Sequence, residues 1–414
     1  VQQDPYFILE AKTPPVAEHG TFSRHTAARS PDMNTSHLTR HLASCLIRLA
    51  ILVFGLGLGV PECGLSAAMA QEAAPDRSQA KAETLVSDPY FTLRRLTFPE
   101  KAPLEETIIN GPPTPPPGYE EQRAPVDLAK AGAKEAALTL TTPAFDWVFG
   151  CSSVSGAMIA GYYDRTGYPN MYTGPTNGGV MPLDNSSWPT WTDSASATYP
   201  NLPLAGSHMG VDGRATRGSI DDYWVSYGSS ANDPYITGGW TQHVWSDAIG
   251  DYMKTSQSAA PYANTDGSTT FYNFESNSQL TCADMEYYGV NDDDGTYGRK
   301  LFYEARGYTV TDCYNQKTDN AVAGGFSFAQ YKAEIDAGRP VMINVTGHTM
   351  VGVGYDDATN TVYLHDTWDY LTHTMTWGGS YSGMTMQSVS IVNLAAAPAA
   401  QSSQPWELLL MDEE

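Results

Sequence analysis

The chain has 414 residues, 41% of them aliphatic or aromatic, and a formal charge of −23 from 23 Lys/Arg against 46 Asp/Glu. That length accommodates one large domain with tails or about two to three average ones. No basic run accompanies the acidity, which argues against nucleic acid and anionic membrane surfaces as partners.

Residues 1–32 precede Met33, a natural start, and are expected to be an over-extended beginning. Arg40, His41 and Arg48 lead into the apolar run Leu49–Val60, and Ala68-Met69-Ala70 follows. A basic flank, a short apolar segment and an A-x-A site predict a signal peptide over 33–70, cleaved after Ala70. The run is too short for the roughly 20 apolar residues of a spanning helix, so a secreted or periplasmic protein with no stable membrane span is expected. Cys45 and Cys63 leave with the signal. The mature chain then holds Cys151, Cys282 and Cys313. In an oxidising compartment this count suggests one disulfide, Cys282–Cys313, with Cys151 left as a free thiol.

Residues 71–140 are expected to form a Pro-rich leader with little regular structure, whether linker, stalk or propeptide. Pro112-Pro113-Thr114-Pro115-Pro116-Pro117 favours polyproline conformation, and 128–137 is at most a short helix. A helix is predicted over Phe149–Asp164, with Ser152 or Ser153 as its cap and Val154, Ala157, Met158, Gly161 and Tyr162 on one buried face. Cys151 falls in its first turn, where unpaired N–H groups carry about +0.5 charge and favour a thiolate.

The stretch 165–320 is rich in Gly, Asn, Tyr and Trp, with turns at Asn177-Gly178-Gly179, Asp212-Gly213, Asp266-Gly267 and Asp294-Gly295. Short helices are expected at Asp221–Val225 and Trp245–Met253. The aromatics suit either a loop-rich core or a groove for an extended ligand. Asn291–Gly295 resembles part of a calcium loop, but Leu301 stands where the twelfth-position carboxylate of an EF-hand belongs. Near 327 regular order returns. Ser327 and Gln330 form a capping box, Phe328, Tyr331 and Ile335 a buried stripe, and Gly338 a stop. Strands follow at 341–345, 348–355 and 361–366, the last two forming a hairpin across Asp356–Asn360.

With Tyr355 opposite Thr361, Asp366 faces Met350. His348 and Asp366 are then diagonal neighbours on one face, about 7–8 Å apart at the backbone. His365 lies on the far face, and Asp369 is a reserve. A cysteine opening a helix, a histidine opening a strand and a carboxylate on the next strand make a set of nucleophile, base and orienter.

The same residues carry a resemblance. Trp147–Met158 resembles the nucleophile motif of the papain-like clan, closest to peptidases related to bacteriocin-processing, double-glycine-leader enzymes. Phe328–Tyr355 resembles that family's histidine segment, and His365-Asp366-Thr367-Trp368 falls at its aspartate. The resemblance implies an α+β, papain-like domain over 141–395 with a flexible tail at 396–414, a helix bearing the nucleophile being packed on an antiparallel sheet. It implies a cysteine peptidase acting on peptide or protein substrates through Cys151, His348 and Asp366, with no cofactor. Two departures stand out. Phe145 occupies the position of the oxyanion-hole glutamine, leaving the Cys151 N–H and another donor, with Trp147 as a candidate. The segment between helix and histidine is also longer than the compact family core. A cell-wall peptide amidase and a non-catalytic binding module are the alternatives.

Overall fold

The computed structural model describes residues 77–118, 125–127, 130, 137–148, 150–192, 196, 198–206, 248–255 and 267–396, all within the unit Glu72–Glu414. The expected start, the signal peptide, the turn at Asp212-Gly213, the helix at Asp221–Val225 and nearly all of the tail lie outside the described residues.

In chain order the elements begin with β1 (Lys81–Ser87), β2 (Phe91–Thr97), β3 (Leu104–Ile109) and β4 (Ala137–Thr139). These correct the expectation of an irregular stretch over 71–140. Phe91, Leu96, Leu104 and Ile109 are buried and hold the strands to the body of the molecule. The helix α1 (Cys151–Arg165) follows, then the short pair β5 (Trp191–Thr192) and β6 (Thr198–Tyr199) and the helix α2 (Ile249–Tyr252). Next come β7 (Thr269–Phe274), β8 (Leu280–Thr281), α3 (Cys282–Tyr288), α4 (Gly295–Ala305), β9 (Val310–Lys317) and α5 (Phe328–Asp336). The chain closes with β10 (Val341–Val345), β11 (His348–Asp356), β12 (Thr361–His365), β13 (His373–Thr376), β14 (Ser380–Tyr381) and β15 (Met384–Leu394).

The fold is α+β. One sheet has the order β1-β2-β3-β7. The larger runs β13-β12-β11-β10-β15-β9-β8, with β4 added to β11 and β14 to β15, and its pairs are antiparallel. β3 pairs with β2 on one side and with the far-downstream β7 on the other, so the strands over 81–109 are woven into the domain.

The helix α1 departs from the one-sided stripe expected of it. Every residue from Cys151 to Asp164 is buried. The sheet strands β10 and β11 lie against it, and Gly156 and Gly161 admit the Met253 and Met181 side chains. Burying side chains such as Val154, Met158 and Ile159 contributes about 1.5–3 kcal/mol each. A capping side chain contributes about 1. Burial therefore holds this helix, and the expected serine cap is absent. The N-cap is Gly150, whose φ of 122° suits glycine alone and where a Cβ would collide with the Gly267 carbonyl.

The capping box at Ser327 and Gln330 forms as expected, and a second joins Thr281 and Asp284 at the start of α3. Cys282 is bonded to Cys313, tying α3 to β9, and Cys151 is free. The acidic run at 291–295 has structural partners. Asp294 caps α4 by accepting from Thr296 and Tyr297 N–H, while Asp293 pairs with Arg77 at 2.8 Å.

The β11–β12 register differs from the one predicted. Asp356 pairs with Thr361 and Tyr355 with Val362, one residue off expectation. A bulge at Val353, whose carbonyl takes the N–H of Leu140 at 2.7 Å, absorbs the offset. Beyond it Gly352 pairs with Leu364 and Val351 with His365, the predicted register. The face assignment at the histidine end thus survives an error at the loop end.

Candidate active site

Two elements bring Cys151 and His348 together. Cys151 is the first residue of α1, and His348 opens β11 after the two-residue turn Thr346-Gly347. Ser152 and Ser155 fix the helix start to the strand start. The Ser152 hydroxyl lies 2.8 Å from that of Thr349, and the Ser155 hydroxyl donates to the Thr349 carbonyl at 3.2 Å. Thr349 donates onward to Asn344 Oδ1 at 2.9 Å, and Asn344 Nδ2 donates to Ser388 at 3.4 Å. This run of buried polar groups crosses from helix to β11, β10 and β15 and satisfies each in turn.

Cys151 and His348 are fully buried. A Cβ placed on Gly111 would stand 2.5 Å from Cys151 Sγ and 2.5 Å from His348 Nδ1. The two atoms are therefore no more than about 5 Å apart, and the thiol and the imidazole share a hydrogen bond, the contact that proton transfer between them requires. Burial alone would raise the Cys151 pKa. The charge and hydrogen bond of His348, with backbone hydrogen bonds at Thr349 and Gly111, outweigh it, and the thiol's pKa is lowered.

The hydrogen bond that orients His348 comes from an unexpected atom. His348 Nε2 lies 2.6 Å from the main-chain carbonyl of Asp366 and 3.3 Å from the Thr367 hydroxyl. A carbonyl oxygen only accepts, so in the neutral ring the proton sits on Nε2 and Nδ1 presents its lone pair to the sulfur. Among the described residues Nδ1 has no nitrogen or oxygen partner. The Asp366 carboxylate, which the sequence suggested as the ring's partner, accepts instead from the Trp368 N–H at 3.0 Å and the Tyr381 hydroxyl at 2.6 Å. It thereby stiffens the turn that aims its own carbonyl. Thr367 sits in this turn at φ 66°, an unusual conformation for a β-branched residue. Trp368 stacks on the His348 ring, centroids 3.9 Å apart and 20° from parallel, which fixes the imidazole plane.

His365 is buried and faces away, its Nδ1 3.2 Å from the Leu371 carbonyl. The reserve carboxylate, Asp369, pairs with His373 at 3.0 Å. Asp366, Asp369 and His373 bring potential ligand atoms within 4.8 Å of one another, the one such cluster among the described residues. Their atoms form hydrogen bonds with Tyr381, Trp368 and each other, around the turn that carries the Asp366 carbonyl.

Phe145, at the glutamine position, is buried in the core. Trp147 points its indole N–H into the site, donating to the Gly111 carbonyl at 3.2 Å. Asn185 pins the approach, accepting from the Asp146 N–H and donating to its carbonyl, both at 3.1 Å. Sequence reasoning did not find Tyr381 or Gly111, and Thr349 and Thr367 lay inside the histidine and aspartate motifs without a role of their own. Trp368 lay inside the aspartate motif, and its adjacency to Asp366 was the available signal.

No curated protein and no solved structure matches the chain. Residues 265–388, which include His348 and Asp366 but begin well after Cys151, match the model of the Peptidase_C39 like family, so the likeness to papain-like cysteine peptidases is borne out over the sheet half of the site.

Proposed function

We propose that the protein hydrolyses peptide bonds with Cys151 as nucleophile, His348 as general base and acid, and Asp366 as the third member acting through its main-chain carbonyl. The observation that carries this reading is the single point 2.5 Å from both Cys151 Sγ and His348 Nδ1, with Nδ1 left as the acceptor.

In this mechanism Nδ1 takes the thiol proton and the sulfur attacks the substrate carbonyl carbon. The Cys151 N–H, in the first turn of α1, and the Trp147 indole N–H hold the resulting oxyanion. Collapse breaks the C–N bond, and the imidazolium returns its proton to the departing amine. Water then loses a proton to Nδ1 and attacks the thioester, releasing the acid and restoring the thiol. The Trp368 stack and the Asp366 carbonyl keep the ring in one tautomer and orientation throughout.

Export of the mature chain from Gln71 belongs to the same proposal. The Cys282–Cys313 bond supports it, since such bonds persist in oxidising compartments. The direct test of the chemistry pairs Cys151→Ala with a thiol-reactive epoxide. Peptide hydrolysis should fall by at least about 10⁴-fold in the variant. The epoxide should map to Cys151 in the parent protein. Unchanged hydrolysis by the alanine variant, set against a parent preparation that is active, would end the proposal.

A further inference from the structure

The backbone of the chain's own residue 111 lies against the point between sulfur and imidazole, where only the missing Cβ of glycine leaves room. Gly111 and Pro112 are buried, and the Gly111 backbone hydrogen-bonds the Cys151 sulfur. Its carbonyl accepts from Trp147 Nε1 at 3.2 Å, and the Pro112 carbonyl accepts from Trp368 Nε1 at 2.7 Å. The Asn110 N–H donates to the Tyr90 carbonyl at 2.9 Å. Upstream, β3 carries the segment in, paired on both sides by β2 and β7 and anchored by the buried Ile109.

We propose that residues 110–113 are a built-in peptide ligand of the Cys151–His348 cleft, and that the protein is latent while this segment is seated. Regulation of the site in this form rests on the peptidase reading above.

Three features distinguish such a ligand from a loop that merely passes by. First, the segment consumes the hydrogen bond that an extended substrate's carbonyl would require of Trp147, so the two compete for one donor. Second, only glycine fits at 111. A Cβ there would stand 2.5 Å from both reacting atoms and 3.1 Å from the Gly347 carbonyl, far inside ordinary contact. Third, Pro112 and Pro113 follow the glycine. Proline fixes φ and has no N–H, so the segment is stiff and loses little entropy on seating. Tethering raises its effective concentration to about the millimolar range, enough for modest contacts to exclude free peptides.

The experiment measures how fast iodoacetamide alkylates Cys151 in the full chain, read by peptide mapping, with Cys282 and Cys313 held in their disulfide. Gly111→Leu cannot place its side chain between sulfur and ring. Alkylation of that variant should quicken by about tenfold or more. A synthetic peptide of residues 108–113 should slow it again. The double variant Pro112→Ala, Pro113→Ala keeps the glycine and loosens the segment, with a smaller rise expected; it decides the matter if Gly111→Leu does not fold. The parent chain should stay uncut at Gly111–Pro112. Parent-like alkylation in folded variants, or cutting at that bond, would overturn the proposal. Faster alkylation of Gly111→Leu with no hydrolysis of any peptide would leave the occupancy standing and remove the peptidase reading. Hydrolysis by the parent chain at the variant's rate would do the reverse.

Discussion

His348 and Cys151 reach the same place by different routes. The histidine side is local: β10, a two-residue turn, β11, a short loop and β12 follow one another from 341 to 365, and each partner lies close in sequence. The cysteine side is assembled from afar. α1 is seated by strands that begin nearly two hundred residues later, by α2, and by Met181 against Gly161. The family match covers the first side and stops short of the second. A site half made by neighbours in sequence keeps a recognisable pattern, whereas one made by burial on every face is constrained mainly in volume.

Four substitutions probe that division. The largest effect is expected from His348→Ala. Without the imidazole the buried thiol loses what outweighs its desolvation, so its pKa should rise above the ordinary thiol range. In the parent chain a lowered pKa keeps thiolate present as pH falls below that range. Alkylation profiles against pH should therefore show the parent reacting at lower pH than the variant, and peptide hydrolysis should drop by about 10⁴-fold or more. Coincident profiles would break the coupling between the halves.

Trp147→Phe keeps an aromatic ring on the helix side and removes the indole N–H. A loss of about 10²–10³ in kcat is expected, with a fall in stability of about 1–3 kcal/mol at most from the Gly111 carbonyl left without its donor. An unaffected rate would leave the oxyanion with another donor.

Asp366→Asn sharpens the strand side. Where a carboxylate holds the ring tautomer, the amide costs about 10⁴. Here the main-chain carbonyl holds it, and an amide can still meet the Trp368 N–H and the Tyr381 hydroxyl. The expected loss is below about tenfold, and a 10⁴-fold loss in steady-state kinetics would refute the carbonyl's role.

The smallest kinetic effect is expected from Thr349→Val. It removes the hydroxyl between Ser152 and Asn344 and should lower stability by about 1–3 kcal/mol in urea titration. Unchanged stability would show that the polar run across the halves carries nothing.

The same division explains how much of the fold and the site is legible in the sequence. The capping box at Ser327, the strands at 341 and 348 and the disulfide pairing rest on short-range patterns or on counting, and all are present. The β11–β12 register at its loop end is not legible in the sequence because the Val353 bulge has no local signature. The strands over 81–109 were hidden because β3 takes half of its pairing from β7, and the prolines beyond 111 lend the whole segment the look of a linker. The identity of Asp366 could be inferred, but the atom it offers to His348 depends on the left-handed turn at Thr367.

The hydroxyl and amide groups of Ser152, Thr349, Asn344 and Ser388 have a mechanical consequence. Spreading helix from sheet would strip partners from several of these buried groups at once, at about 1–3 kcal/mol for each one left unsatisfied. The scaffold thus behaves as a fixed vice rather than a pair of jaws. Traffic to the sulfur must come by lifting whatever lies across the top, not by opening the walls.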